Sequence, residues 1–265
     1  MAEVKEIYEF LNQIAPFETQ MDFDNAGFLV GRGAAQVDRV LVSLDITETV
    51  AEEAGTLGCG LIVSHHPVIF HPARAVTDET VTGRTLLALT EQRIAAICAH
   101  TNLDGAQDGV NCCLAKTLGL KEVGLLHQDG IDRFGRPYGI GRVGDAHETG
   151  LSAAGYGAYV KAQLGAASVR WADGGRTVKR VAVGGGSCGS MLADAAAAGC
   201  DTFVTADVKY DQYLEARALG ITLMDAGHYA TEQVVCAPLA ARLAEAFPRV
   251  EILVSARHKE VYHEG

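Results

Sequence analysis

The feature that most constrains this chain is a strict alternation of strand-like and helix-like segments, and it occurs twice. RVLVSL, TETVAEEAGTL, GLIVS, TLLALTEQR, IAAICA and DGVNCCLAKTLG follow one another between Asp38 and Leu120. VKRVAVGG, SCGSMLADAAAAG, DTFVTA, YDQYLEARALG and ITLMDA repeat the order from Val178, with a last helix from about Tyr229. Short apolar runs rich in Val and Ile, separated by longer amphipathic stretches, are the pattern of βαβ units on a parallel or mixed sheet. At a fixed offset Arg39 pairs with Arg180, Val40 with Val181, Val42 with Val183, Ala54 with Ala195, Gly58 with Gly199, Cys59 with Cys200 and Val63 with Val204. The repeat predicts two pseudo-symmetric α/β lobes with mixed sheets. The first lobe is expected over residues 1–124, with 233–265 returning to it through the strand RVEILV and ending in a polar tail. The second is expected over 125–232.

The 265 residues suffice for two modest lobes, and 48% hydrophobic against 21% charged residues is an ordinary globular composition. A formal charge of −11 leaves no basic footprint for a phosphodiester backbone, so nucleic acid is not an expected partner. No apolar run reaches the ~18 residues a membrane span needs, and the opening MAEVKEIYEFLNQIAP reads as an amphipathic helix rather than a signal peptide. Seven Cys without a C-x-x-C pair, mostly within apolar stretches, fit small packed thiols and a reducing cytoplasm.

Polar residues collect where the strands end, which is where ligands gather in open α/β sheets. His65 and His66 follow GLIVS and precede Pro67. If that segment stays extended, the two rings point to opposite sides, so each holds a different metal, or one ligates and one orients; a surface loop pair is the plain alternative. AHTNLD follows IAAIC and supplies His100 and Asp104, whose carboxylate is able to bridge two cations. GHYATE follows ITLMD, and a helix starting at His228 places Glu232 one turn on, on the same face. Pro238 should kink or end that helix early, after the ligand turn. Imidazole and carboxylate donors without thiolate, drawn from both expected lobes, point to Mn, Fe or Zn at a metal site between them. Asp24, Asn25, Asp45 and Asp225 are placed to orient the imidazoles, with capping or turn duty the plainer role of each alone.

GGGSCGS, after VKRVAV, has the look of an anion-cradling turn without the Lys of a P-loop, and close strand-to-helix packing explains it as well. TADVKYD is the positional counterpart of SHHPVIF, so Asp207, Lys209 and Tyr210 should face the same cleft. Lys209 is placed either to hold a substrate phosphate or to pair with Asp207 or Asp211.

Taken together, DNAGFLVG, SHHPVIF, AHTNLDGAQDGVN with LAKTLGL, TADVKYD and DAGHYATE, in that order, resemble the GTP cyclohydrolase 1 type 2 homologue family, also called Nif-three-like or YbgI-like. The resemblance runs from about Asp24 to Glu232. It implies two divalent ions per chain, held by His65, His66, Asp104, His228 and Glu232, and a toroidal homohexamer. Two departures stand out: Asp211 replaces a His of the usual GDVKYH, and the middle segment is too short for the inserted domain of longer members.

Two functions fit. One is a metal-dependent hydrolase acting on a purine nucleotide, with His100 and Lys209 in support; the other is a non-catalytic metal-handling or regulatory protein acting through protein contacts.

Overall fold

The computed structural model describes residues 1–263; Glu264 and Gly265, the end of the expected polar tail, lie outside the described residues. The chain divides into two compact units, Met1–Leu103 with Cys236–Lys259, and Asp104–Val235 with the residues from Glu260 on.

The first unit opens with β1 (Ala2–Glu3) and the amphipathic α1 (Val4–Ile14), followed by β2 (Gly27–Val30), β3 (Gln36–Val37) and β4 (Arg39–Ser43). It continues through α2 (Glu48–Leu57), β5 (Leu61–Ser64), α3 (Val81–Glu91) and β6 (Ala95–Cys98), and α4 (Thr101–Gly105) carries the chain across the boundary between units. Strands β4, β5 and β6 run parallel, and β2 closes one edge antiparallel to β6. Val40, Leu41, Val42, Leu61, Ile62 and Val63 have no exposed surface, as expected of parallel strands covered on both faces. Helix α2 starts where the Thr47 hydroxyl accepts from the Val50 N–H. It stops at Gly58, whose left-handed φ of 70° turns the chain into β5 at little steric cost.

The second unit contains α5 (Val110–Thr117), β7 (Lys121–Leu125), the small hairpin β8 (Gly130–Ile131) and β9 (Pro137–Tyr138), β10 (Arg142–Asp145), α6 (Ala153–Leu164) and β11 (Arg170–Ala172). The second βαβαβ run follows as β12 (Arg180–Val183), α7 (Leu192–Ala197), β13 (Thr202–Thr205), α8 (Tyr210–Leu219), β14 (Thr222–Asp225) and α9 (His228–Glu232). Its six-stranded sheet has the order β11-β14-β13-β12-β10-β7, with β12, β13 and β14 parallel and the outer strands antiparallel. The two-residue strand period sorts the core: Val181, Val183, Val204 and Met224 pack on one face with Leu114, Tyr156 and Val160. Ala182, Phe203 and Leu223 pack on the other with Leu192, Ala195 and Ala216.

After α9 the chain tightens into a 3-10 turn, Gln233–Val235, and restarts as α10 (Cys236–Ala246), which packs on β4 and on the last strand, β15 (Glu251–Val254). Pro238 falls in the first turn of α10, where a missing N–H costs no helical bond, and its ring disfavours a continuous helix through Val234. β15 pairs in parallel with β4, so the first unit's sheet reads β15-β4-β5-β6-β2. The chemistry-bearing residues of both units leave the carboxyl ends of parallel strands. They follow Ser64 and Cys98 in the first unit, and Val183, Thr205 and Asp225 in the second.

Candidate metal centre

In the first unit the backbone N–H groups of both His65 and His66 lie within bonding distance of the Leu44 carbonyl, at 3.1 and 2.9 Å. The chain is therefore bent rather than extended here, and the alternation expected of the two rings does not occur. Their centroids lie 5.0 Å apart, and His100, just beyond β6, sits 5.1 Å from His65 and 5.5 Å from His66. One ring nitrogen from each lies within 4.8 Å of the others.

Each imidazole is held by Nδ1. His65 bonds the Ala99 carbonyl at 2.9 Å, His66 the Asp45 carboxylate at 2.8 Å, and His100 the Asp24 carboxylate at 2.8 Å. A carbonyl or a carboxylate only accepts, so Nδ1 carries a proton, and in the neutral ring the lone pair then sits on Nε2, the arrangement of a metal-ligating histidine. Asp24 is gripped further by the N–H and hydroxyl of Thr101. Burial pushes its carboxyl up, but the bonds from His100 and Thr101 prevail and hold it at about 2. For Asp45 burial likewise opposes ionisation, yet contacts from His258 and His66 keep it well below the usual carboxylate range. Asp24 and Asp45 thus orient imidazoles. Asn25 and Asp225 do loop work instead: the Asn25 amide donates to Ile69, and Asp225 accepts from Arg170 at 2.8 Å and from the Gly227 N–H at 3.2 Å.

In the second unit α9 brings His228 Nε2 to 3.0 Å from Glu232 Oε2, one helical turn apart. Asp207 holds His228 Nδ1 at 2.7 Å, repeating the first unit's rule. Glu232 is 4% exposed and Asp104 7%, and a carboxylate oxygen of each lies within 4.8 Å of the other. Two buried carboxylates this close repel unless a cation or a proton neutralises them, which fits a divalent ion. Burial and these same two carboxylates push the Cys188 thiol far above its ordinary value, and its sulfur donates to the Gly185 carbonyl at 3.2 Å.

The GGGSCGS turn packs against these ligands rather than cradling an anion. The N–H groups of Gly185, Gly186 and Cys188 donate to Asn111, Thr231 and Thr205 side chains at 2.8, 3.0 and 3.1 Å. A Cβ on Gly186, whose φ is 64°, would stand 2.1 Å from Glu232 Oε1. From TADVKYD, Asp207 reaches the site. Lys209 and Tyr210 are exposed at the start of α8, the Lys209 N–H donating to Gln212. Asp211 is also exposed, in the first turn of α8, where a negative charge favours the helix N-terminus.

Sequence reasoning missed two orienting groups. Asp207 was expected in the cleft but not as the partner of His228; its left-handed φ of 50°, rare outside Gly and Asn, has no sequence signature beyond the short polar residue itself. His258, assigned to a polar tail, lies with Nε2 2.9 Å from Asp45 Oδ2 and carries no local signal at all.

Parallel strands that end in tautomer-fixed imidazoles and buried carboxylates define an α/β protein with candidate metal-binding groups. The chain belongs to the Duf34/NIF3 (NGG1p interacting factor 3) family, whose model matches residues 2–260. It is 37% identical over 248 residues to a Streptomyces coelicolor protein named GTP cyclohydrolase 1 type 2 homolog, covering 92% of this chain and 87% of the relative. It is 33% identical over 233 residues to a Helicobacter pylori protein named GTP cyclohydrolase 1 type 2, covering 88% of each. A solved Bacillus cereus protein related to NIF3 shares the fold with a TM-score of 0.93 at 22% identity, covering 100% of this chain and 99% of that one. Among the described residues, no helix is long and apolar enough to cross a membrane.

Proposed function

We propose that the chain is a dinuclear metal-dependent hydrolase acting on a purine nucleotide, with His65, His66, Asp104, His228 and Glu232 holding two divalent ions, Fe, Mn or Zn. The observation that carries this reading is the common orientation: His65, His66 and His228 all have Nδ1 engaged by an oxygen, which in the neutral ring leaves Nε2 for a cation, and His228 Nε2 faces Glu232 Oε2 at 3.0 Å, as two donors of one site would. The nitrogen and oxygen donor set supports the choice of metals. When bound, the ions supply the Lewis acidity and the acidified water that hydrolysis requires.

The chain's own groups do the positioning. Asp24, Asp45, Asp207 and the Ala99 carbonyl hold the rings, and Asp104 and Glu232 supply the negative charge that retains cations. His100, its Nδ1–H donating a hydrogen bond to Asp24, would present Nε2 as an acceptor for a proton from the attacking water. Lys209 contributes attraction for a phosphate from an exposed position. A cytoplasmic location and a homohexamer complete the proposal; the first rests on the packed cysteines and the second on family resemblance, and a monomer by light scattering would end the second.

The test is turnover of GTP and a panel of nucleotides by metal-loaded protein. His65→Ala or Glu232→Ala should abolish it with the circular dichroism spectrum intact, and Lys209→Ala should mainly raise KM. Turnover unchanged in metal-stripped protein refutes the hydrolytic reading. Metal binding without turnover of any nucleotide leaves metal handling through protein contacts as the function.

A further inference from the structure

The C-terminal segment beyond β15 is tied down by a buried acid. Glu53 on α2 is 5% exposed, and its carboxylate accepts from the Ser255 hydroxyl, from the Ala256 N–H at 2.8 Å and from the Arg257 N–H at 3.3 Å. Ser255 in turn donates its N–H to the Val42 carbonyl at 2.8 Å, extending the β15–β4 ladder toward the loop that carries Asp45. The His258 N–H closes the knot on Ser255 Oγ at 3.1 Å. The outcome is that the His258 ring, 9% exposed, sits with Nε2 2.9 Å from Asp45 Oδ2, while Asp45 Oδ1 holds His66 Nδ1 at 2.8 Å.

A carboxylate fixes an imidazole only if it is itself fixed, because a side chain held at one oxygen swings about χ1 and χ2. Asp24 has that second hold, from Thr101 and from the Asn25 N–H. Asp45, whose side chain is 38% exposed, has the His258 ring on its second oxygen.

We propose that His258 is a positioning residue for His66, clamping Asp45 so that the carboxylate sets the rotation and tautomer of the imidazole. The proposal rests on His66 being a metal ligand only in its consequence for affinity; the orientation itself is a property of the metal-free chain. The order of action is Glu53, then the Ser255–His258 segment, then Asp45, then His66. The loss of orientation should weaken binding by about 10- to 100-fold, the usual effect of removing a group that orients a ligand. Gln at position 258 retains an N–H at nearly the reach of imidazole Nε2, whereas Ala retains none.

Two measurements on the full chain test this. Long-range 1H–15N spectra of metal-free protein, at alkaline pH where the imidazoles are neutral, should show His66 protonated at Nδ1 in wild type. His258→Ala should show a mixture of tautomers, and His258→Gln the wild-type form. Titration with Co2+ should show one site weakened by about 10- to 100-fold in His258→Ala and largely restored in His258→Gln. If His258→Ala does not fold, Glu53→Gln carries the test, with the same shifts in smaller degree. An unchanged His66 tautomer together with unchanged Co2+ affinity overturns the proposal. A tautomer shift rescued by Gln, in a wild type that binds no Co2+, supports the clamp and removes the metal reading instead.

Discussion

Asp207 holds His228 Nδ1 at 2.7 Å from a left-handed backbone, φ 50°, that few non-glycine residues adopt. A strained conformation kept to place one carboxylate indicates that the placement matters more than the local cost. Asp207→Gly removes the strain and the carboxylate together. Its unfolding free energy should stay within about 1 kcal/mol of wild type, while metal affinity falls by about 10- to 100-fold. Chemical denaturation and a competitive chelator assay read the two quantities separately, and full affinity in the variant would show that His228 needs no partner.

Asp104 and Glu232 should trade stability for metal retention. In chelator-treated protein Asp104→Asn removes one of two buried like charges and should raise stability by about 3–4 kcal/mol, the scale of two unit charges this close at an effective dielectric near 20. On the proposed assignment, in which the Asp104 carboxylate would serve both ions, the same variant should lose both by elemental analysis, against two per chain in wild type. Wild type in turn should gain about 2.7 kcal/mol when the ion is present at a hundred times its Kd. An Asp104→Asn protein that keeps two ions would assign Asp104 to an orienting role.

Gly186→Ala is expected to disable the site through packing alone. Its Cβ would stand 2.1 Å from Glu232 Oε1 and 3.2 Å from His228 Nε2, on a backbone of positive φ. The carboxylate must move, so metal content should fall and stability should drop by about 1–3 kcal/mol. A variant with wild-type metal content and melting temperature would mean that Glu232 relaxes without cost.

Cys59 and Cys200 occupy matching places in the repeat, each following a glycine of positive φ, Gly58 at 70° and Gly199 at 73°. Burial pushes both thiols up to about 11. Their alkylation in native protein should keep accelerating as pH rises through 9, where an ordinary thiol levels off. The linkage has a definite sign: an unfolded chain loses these protons first, so the stability they contribute is complete below the ordinary thiol value and is lost as pH rises through about 11. Mass-spectrometric labelling against pH checks the rates, and a plateau near pH 9 at either residue contradicts the burial argument.

Much of this was legible in the sequence because it is encoded over a few residues. Short apolar runs announced β4, β5, β12 and β13 as strands of a parallel or mixed sheet. A strand-end position located His65, His66 and His100, and the i, i+4 spacing located His228 and Glu232 on one turn. The local bend that brings His65 and His66 side by side was not legible, since it depends on the Leu44 carbonyl from a neighbouring strand's exit.

What only the tertiary structure decided is how those residues are held. Asp24 meets His100 across 76 residues of chain, Asp45 meets His66 across 21, and Asp45 meets His258 from the far end of the sequence. Strand order brings such partners together: β15 lies beside β4 because the sheet reads β15-β4-β5, and no periodicity in either segment encodes that adjacency. Composition and spacing supply the donors one at a time. Their tautomers, and hence which ring nitrogen is left to meet a ligand, are set by hydrogen bonds that exist only once distant loops have been packed against each other.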